Sequence, residues 1–260
     1  MNRLNDRFKE LQKKQEKGLI AFIMAGQPDF KTGVDCARAL EDAGCDILEI
    51  GVPYSDPIAD GEVIERAHFR GVEQGMNMTQ GLEFMAAVRE KCQMPLVLFS
   101  YSNPILHRGI FNFSQELQNA GGSAVIIPDV PLEERPRYQV NNLDIIPMMA
   151  PNSSPQRIAR ADSAAKSFIY CVSVAGVTGV RKTLPDLKQY LQRVRENTTR
   201  PLAVGFGISA PQQVTELKDN VDALVVGSVL VKTIEQYSGE KATMFKVLQQ
   251  IMSGLKAAAR

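Results

Sequence analysis

An alternation constrains this chain more than any single residue does. Short apolar runs bounded by turn signals recur at residues 19–24, 47–50, 96–99, 124–127, 145–148, 168–172, 202–204 and 223–226. Runs this short and this uniformly apolar predict strands buried on both faces. Helical spacing fills most of the intervals, as with Val34, Ala37 and Leu40 before Gly44, or Leu82, Met85, Ala86 and Arg89 before Pro95. Strands separated by helices pair in parallel, because the crossover must carry the chain back to the same end of the sheet. About eight such units, with no Pro/Ser-rich linker or charge block between them, predict one α/β domain over residues 1–260: a closed (β/α)8, or TIM, barrel. Strand order is not legible in one sequence, so an open doubly wound sheet is the alternative. Leu4, Phe8 and Leu11 precede the first run at helical spacing. They predict an extra N-terminal helix that plugs the barrel's bottom or packs on its side.

Composition removes several classes of function. A formal net charge of +1 gives no basic excess for nucleic acid or an anionic membrane. Cys36, Cys45, Cys92 and Cys171 lie far apart with no Cys-x-x-Cys pair, so neither a zinc site nor a disulfide framework is expected. Residues 1–17 are rich in charge, and no later run approaches membrane-spanning length. The expectation is a cytoplasmic protein.

Barrel and open sheet alike place a site beyond the carboxyl ends of the strands. Glu49 sits within the second apolar run, where an ionised carboxylate is costly unless it is paired or used. A structural ion pair is the ordinary explanation for a strand glutamate. Here a long connection with two prolines, residues 51–61, follows it, and loops of that length are usually functional. The same loop carries Asp56 and Asp60, each of which alone reads as a turn former. A second long connection, residues 173–183, holds Gly176, Thr178, Gly179 and Arg181 and predicts a lid, with a plain surface loop as the alternative. Glycines end the last two runs, at Gly205, Gly207 and Gly227-Ser228, each leading into a helix. Exposed backbone N–H groups at a helix N-terminus suit a phosphate, and barrels often bind one after strands seven and eight. His68 and His107 are the only histidines, distant in sequence and not grouped with acids or cysteines at ligand spacing, so a metal-dependent aldolase is disfavoured. No predicted strand ends in lysine, which disfavours a Schiff base. Carboxylate acid–base chemistry on a phosphorylated small molecule, without a cofactor, is what remains.

Leu48-Glu-Ile-Gly-Val-Pro-Tyr-Ser-Asp-Pro-Ile-Ala-Asp-Gly61 resembles the signature of the tryptophan synthase alpha subunit family. Phe22-Ile-Met-Ala-Gly26, Ser100-Tyr-Ser-Asn-Pro104, Pro128-Asp-Val-Pro-Leu-Glu-Glu134, Tyr170-Cys-Val-Ser173, Gly176-Val-Thr-Gly179, Val204-Gly-Phe-Gly-Ile-Ser209 and Val226-Gly-Ser228 match in family order. The resemblance implies retro-aldol cleavage of indole-3-glycerol phosphate to indole and glyceraldehyde 3-phosphate. It implies Glu49 as general acid–base and Asp60 as acceptor of the indole N–H. Phe22, Leu98, Tyr101 and Met148 would supply apolar pocket surface, Tyr170 would lie near the glycerol moiety, and Gly179, Gly207, Gly227 and Ser228 would hold the phosphate. Thr178 would order the lid against Asp60.

The resemblance also implies a beta-subunit partner in an alpha-beta-beta-alpha tetramer. That partner would condense indole with serine using its own pyridoxal phosphate, with no cofactor on this chain. Asp56, Pro57, Asn103, Pro104 and Pro131 would sit at the contact. Alternatives are a non-catalytic subunit that only activates the beta subunit and a stand-alone lyase. Gln27, Glu62, Glu65, Val174 and Ala175 depart from the family's commonest pattern. Glu62 is expected to put negative charge near Asp60 and to loosen the loop where the pattern has proline.

Overall fold

A computed structural model describes residues 3–140, 143–172, 184–205 and 207–260. The chain runs through α1 (Arg3–Lys14), β1 (Gly18–Met24), α2 (Phe30–Asp42), β2 (Ile47–Gly51), α3 (Glu62–Glu73), α4 (Met78–Lys91) and β3 (Leu96–Phe99). It continues with α5 (Ser102–Arg108), α6 (Ile110–Asn119), β4 (Ala124–Ile126), β5 (Met148–Met149), α7 (Pro155–Ala164), β6 (Ile169–Val172) and α8 (Leu184–Glu196). Then come β7 (Leu202–Gly205), α9 (Pro211–Leu217), β8 (Ala223–Val226), α10 (Ser228–Gln236) and α11 (Lys241–Ala259).

Every strand pairing is parallel, in the order β4-β3-β2-β1-β8-β7-β6-β5. That order is the circular one, with β1 beside β8. The two end strands meet through a parallel bridge between Val125 and Ile145, in which Val125 N–H donates to Asp144 O at 2.8 Å and Ile146 N–H to Val125 O at 2.9 Å. The sheet therefore closes on itself, and the open alternative falls.

The fifth strand differs from expectation. The apolar run at 145–148 predicts one strand, yet Ile145 bridges to β4 while only Met148–Met149 pairs with β6. Pro147 lies between and has no N–H to give, although its carbonyl accepts from Tyr170 N–H at 2.9 Å. The run thus splits into two pairings that face opposite neighbours.

Two apolar layers follow from the strand period of two. Ile20, Phe22, Ile47, Val97, Phe99, Ala124, Phe168, Ala203, Ala223 and Val225 fill the barrel interior. Leu19, Leu48, Leu98, Val125, Ile169, Val204 and Leu224 pack outward against helix residues such as Val34, Leu82, Leu187 and Leu248. Helix α1 joins the inner layer: Leu4 and Phe8 cluster with it, and the Phe8 ring lies 5.6 Å from that of Phe168, near the start of β6. The helix is thus a bottom plug, and each buried anchor contributes about 1.5–3 kcal/mol by leaving water.

Asp46, just before β2, locks the same end. Fully buried, its carboxylate accepts from Leu19 N–H at 2.7 Å, Arg7 Nη2 at 2.5 Å and Lys256 Nζ at 2.9 Å, so α1, β1 and α11 meet at one residue. No helix among the described residues is long and apolar enough to cross a membrane.

Candidate active site

The end opposite the plug opens into a cavity of about 870 Å3 at the carboxyl ends of the strands. Phe22, Glu49, Asp60, Ile64, Phe99, Met148, Tyr170, Gly205, Gly207, Gly227 and Ser228 are among its lining residues. Register explains why. Phe22 and Glu49 are partners across β1 and β2, so the glutamate shares the inward face with the phenylalanine. Met148 and Tyr170 are partners across β5 and β6 in the same way.

Glu49 is 1% exposed, and among the described residues its Oε1 has no hydrogen-bond partner. Burial alone pushes its carboxyl up to about 8, because nothing nearby compensates the charged form. A structural ion pair would have done the reverse. At neutral pH this side chain therefore holds a proton that it can release.

Asp60 is held differently. The Tyr101 hydroxyl donates to its Oδ2 at 2.5 Å and itself accepts from Ala59 N–H at 3.1 Å, which fixes the loop after β2 over the barrel mouth. Burial and the neighbouring Asp60 carboxylate both raise the Tyr101 phenol, so it stays a donor. His68 on α3 stands on the other side, with Nε2 3.2 Å from the same Oδ2. The pair is not foreseen from the sequence, where the histidines are weighed only for metal-ligand spacing. Eight positions separate the two in sequence, and a loop-to-helix turn with no ligand-type spacing brings them together.

The phosphate-type features converge. Gly207 takes φ +61°, a conformation that glycine adopts freely, and a Cβ there would meet nothing within 4 Å. Gly205 has the opposite constraint: a Cβ would lie 2.7 Å from the Tyr170 hydroxyl oxygen, so only glycine lets that ring sit across the strand. Gly227 caps α10, whose first residue, Ser228, also lines the cavity, and this points helix N–H groups at the site. Tyr170 is raised well above the usual phenol range, first by burial and then by Glu49 and Asp60.

Several expectations need correction. Leu98 does not line the cavity; it belongs to the outer layer, and Phe99 takes the inward place. Tyr101 is 1% exposed and serves the loop rather than the cavity wall. Pro57 is buried, and the exposed apolar residue of that loop is Ile58, at 66%. Asp56, Asn103 and Pro131 are exposed and Pro104 is half-buried. Glu62 points into water with its side chain 86% exposed and pairs with Arg66 Nη1 at 2.7 Å, so it does not crowd Asp60. Gln27 is buried and donates to Ala67 O at 2.6 Å, tying the loop after β1 to α3. Thr178, Gly179, Val174 and Ala175 lie outside the described residues.

Sequence reasoning also passed over Asp129 and Arg135, which line the cavity. Asp129 accepts from Ser102 N–H at 2.9 Å and Ser102 Oγ at 2.6 Å, joining the β4 loop to α5. Arg135 is 4% exposed, and burial draws its guanidinium down to about 10.

A glutamate kept protonated by burial, a tethered aspartate and a glycine-lined helix end make a site for acid–base work on a phosphorylated molecule. A family model for the tryptophan synthase alpha chain matches residues 8–260. The chain belongs to the tryptophan synthase alpha chain family.

The alpha chain of Syntrophomonas wolfei is 50% identical over 255 residues, covering 97% of this chain and 98% of that relative. The alpha chain of Carboxydothermus hydrogenoformans is 41% identical over 256 residues, with 96% of each covered. Among solved structures, tryptophan synthase subunit alpha from Legionella pneumophila superposes with a TM-score of 0.91 at 28% identity, covering 100% of this chain and 98% of that one. An aminoacrylate-bound tryptophan synthase from M. tuberculosis gives 0.85 at 28% identity, with 100% of both covered. The reaction of a tryptophan synthase alpha chain is a lyase reaction, the cleavage of indole-3-glycerol phosphate in tryptophan biosynthesis.

Proposed function

We propose that Glu49 moves the proton in this cleavage and that Asp60 stabilises the charge it creates. The proton on Glu49 goes to the indole C3, leaving positive charge on the ring. Asp60 accepts the ring N–H and offsets that charge. The Glu49 carboxylate then takes the proton of the glycerol hydroxyl as the carbon–carbon bond breaks, so indole and glyceraldehyde 3-phosphate leave with the glutamate protonated again. One carboxyl serves both steps only if its two forms lie close in energy near neutral pH, and a buried carboxyl pushed up to about 8 meets that condition. The unpartnered, buried Glu49 is the observation that carries this reading.

Phe22, Phe99, Ile64 and Met148 supply apolar surface for the indole, with Tyr170 beside the glycerol chain. The phosphate lies against the backbone at Gly207, Gly227 and Ser228. Gly179 and Thr178 would cover it from the segment 173–183.

The domain is a single barrel over residues 1–260 and works in the cytoplasm, with no cofactor of its own. Its partner is a beta subunit carrying pyridoxal phosphate, in an alpha-beta-beta-alpha tetramer. Asp56, Asn103, Pro104 and Pro131 would meet it, helped by Ile58, Leu106 and Phe111, which expose apolar surface on the same connections or close to them.

Indole release by the isolated chain, with and without the beta subunit, separates this reading from a purely activating subunit, which would release none, and from a stand-alone lyase, which would gain nothing from its partner. Within it, Glu49→Gln keeps shape and removes the proton, and kcat should fall about 10²–10⁴-fold. Retention of more than about a tenth of the parent rate would remove Glu49 from this role.

A further inference from the structure

We propose that His68 is a positioning residue that grips the Asp60 carboxylate through Oδ2 and so leaves Oδ1 to the substrate; this rests on the reading of Asp60 given above. The ring is fully buried on α3. Tyr54 N–H donates to its Nδ1 at 3.1 Å, so that nitrogen must present a lone pair and the proton of the neutral ring sits on Nε2. Nε2 in turn stands 3.2 Å from Asp60 Oδ2 and has no other acceptor among the described residues. The contact is within ion-pair range but out of line for a hydrogen bond, so the carboxylate or the ring must turn to complete it.

The surroundings fix the ring. Tyr101 packs edge-on against it, with centroids 6.0 Å apart, and stacks on Tyr54 at 5.3 Å. Tyr54 and Tyr101 thus bracket the loop, and Tyr101 and His68 both present donors to one oxygen of Asp60. Among the described residues no hydrogen bond reaches Oδ1. A carboxylate faced at one oxygen by two donors keeps its heading while the other oxygen takes up a substrate N–H. A buried N–H left facing a carboxylate without a made hydrogen bond suits a site whose geometry tightens when ligand arrives.

Two substitutions divide the ring's functions. His68→Gln can place a donor near the position of Nε2 but loses the acceptor for Tyr54. His68→Asn keeps an acceptor near the position of Nδ1 but is too short to reach Asp60. If His68 acts through Asp60, His68→Asn lowers kcat about 10- to 100-fold, as when an outer partner of a site residue is removed, with KM and melting little changed, and His68→Gln restores most of the loss. The reverse order, with Asn active and Gln impaired, would show that the ring only anchors the loop; equal activity in both, or losses that follow melting, also overturns the proposal.

The His68→Asn loss should vanish in an Asp60→Asn background, because the two act as one unit. Should Asp60→Asn itself cleave like the parent, the reading of Asp60 fails, an outcome the single His68 variants do not produce. The chain has only 2 histidines, so ¹⁵N spectra of labelled protein resolve His68; the expected form is the neutral ring with its proton on Nε2, and a proton on Nδ1 rules the arrangement out.

Discussion

Burial of Glu49 has a thermodynamic consequence separate from catalysis. Its folded-state carboxyl is raised from an ordinary 4.5 to about 8, so between those values the folded protein binds a proton that the unfolded chain has released. Stability must therefore fall as pH rises from about 4.5 to about 8, by an amount on the order of a few kcal/mol, and the full cost persists above that window. Glu49→Gln removes the cost. Measured by urea unfolding, the variant should gain on the parent as pH is raised from 5 to 9, and a constant difference across that range would mean that Glu49 is not desolvated. The anomaly of Glu49 was legible in sequence, because a carboxylate inside an apolar run before a long loop is costly to bury. Leu98 was misplaced for a reason the sequence contained. Leu98 and Tyr101 differ by three, so a strand carried on past Phe99 could not turn both inward, whereas Phe99 shares Tyr101's parity. His68 left no such trace, since a loop fold brings it to Asp60.

At the scale of elements, helix beginnings decide what a variant does. Glu62 and Glu65 stand in the first turn of α3, where acidic side chains favour the helix's positive end, and Glu62 already pairs with Arg66 in water. Glu62→Pro trades that small gain for a residue well suited to the first helical position, so cleavage should change less than about twofold. A large gain would mean that Glu62 reaches Asp60 in a closed state. Gly227 gives a sharper test of the phosphate end. A methyl group there would meet only Phe22 among the described residues, at 3.5 Å from its Cβ, which is ordinary contact, and φ is −121°, outside the left-handed region. Gly227→Ala should therefore melt like the parent yet raise KM for indole-3-glycerol phosphate about tenfold, or about 1.4 kcal/mol, if phosphate approaches that backbone. Unchanged KM would place the phosphate elsewhere. Most element positions could be read from apolar runs and turn residues; the split at Pro147 could not, because the run on its own gives no sign of which neighbour each half will pair with.

The whole molecule has two unlike ends, an open cavity at the mouth and a fastening at the base. Asp46→Ala would leave the buried Lys256 ammonium with Glu16, at 3.3 Å, as its one carboxylate and with the Lys17 carbonyl, at 3.5 Å, and would take from the Leu19 N–H its Asp46 acceptor. We expect a loss of about 3–5 kcal/mol in unfolding free energy with near-normal kcat in whatever remains folded. A loss under about 1 kcal/mol would show that α1 and α11 hold by apolar packing alone. A closed ring was legible only as a count of units, since adjacency of β1 and β8 is a fact of space that no local pattern encodes. That adjacency also imposes a timetable. The ammonium that Asp46 needs is encoded 210 positions later, and β1 must wait for β8 before its second edge is covered. As the chain emerges from the ribosome, its first half is committed to strands, a buried carboxylate and an uncovered edge for which the matching parts do not yet exist. Until β8 and α11 have emerged, that surface stays open to the wrong partner.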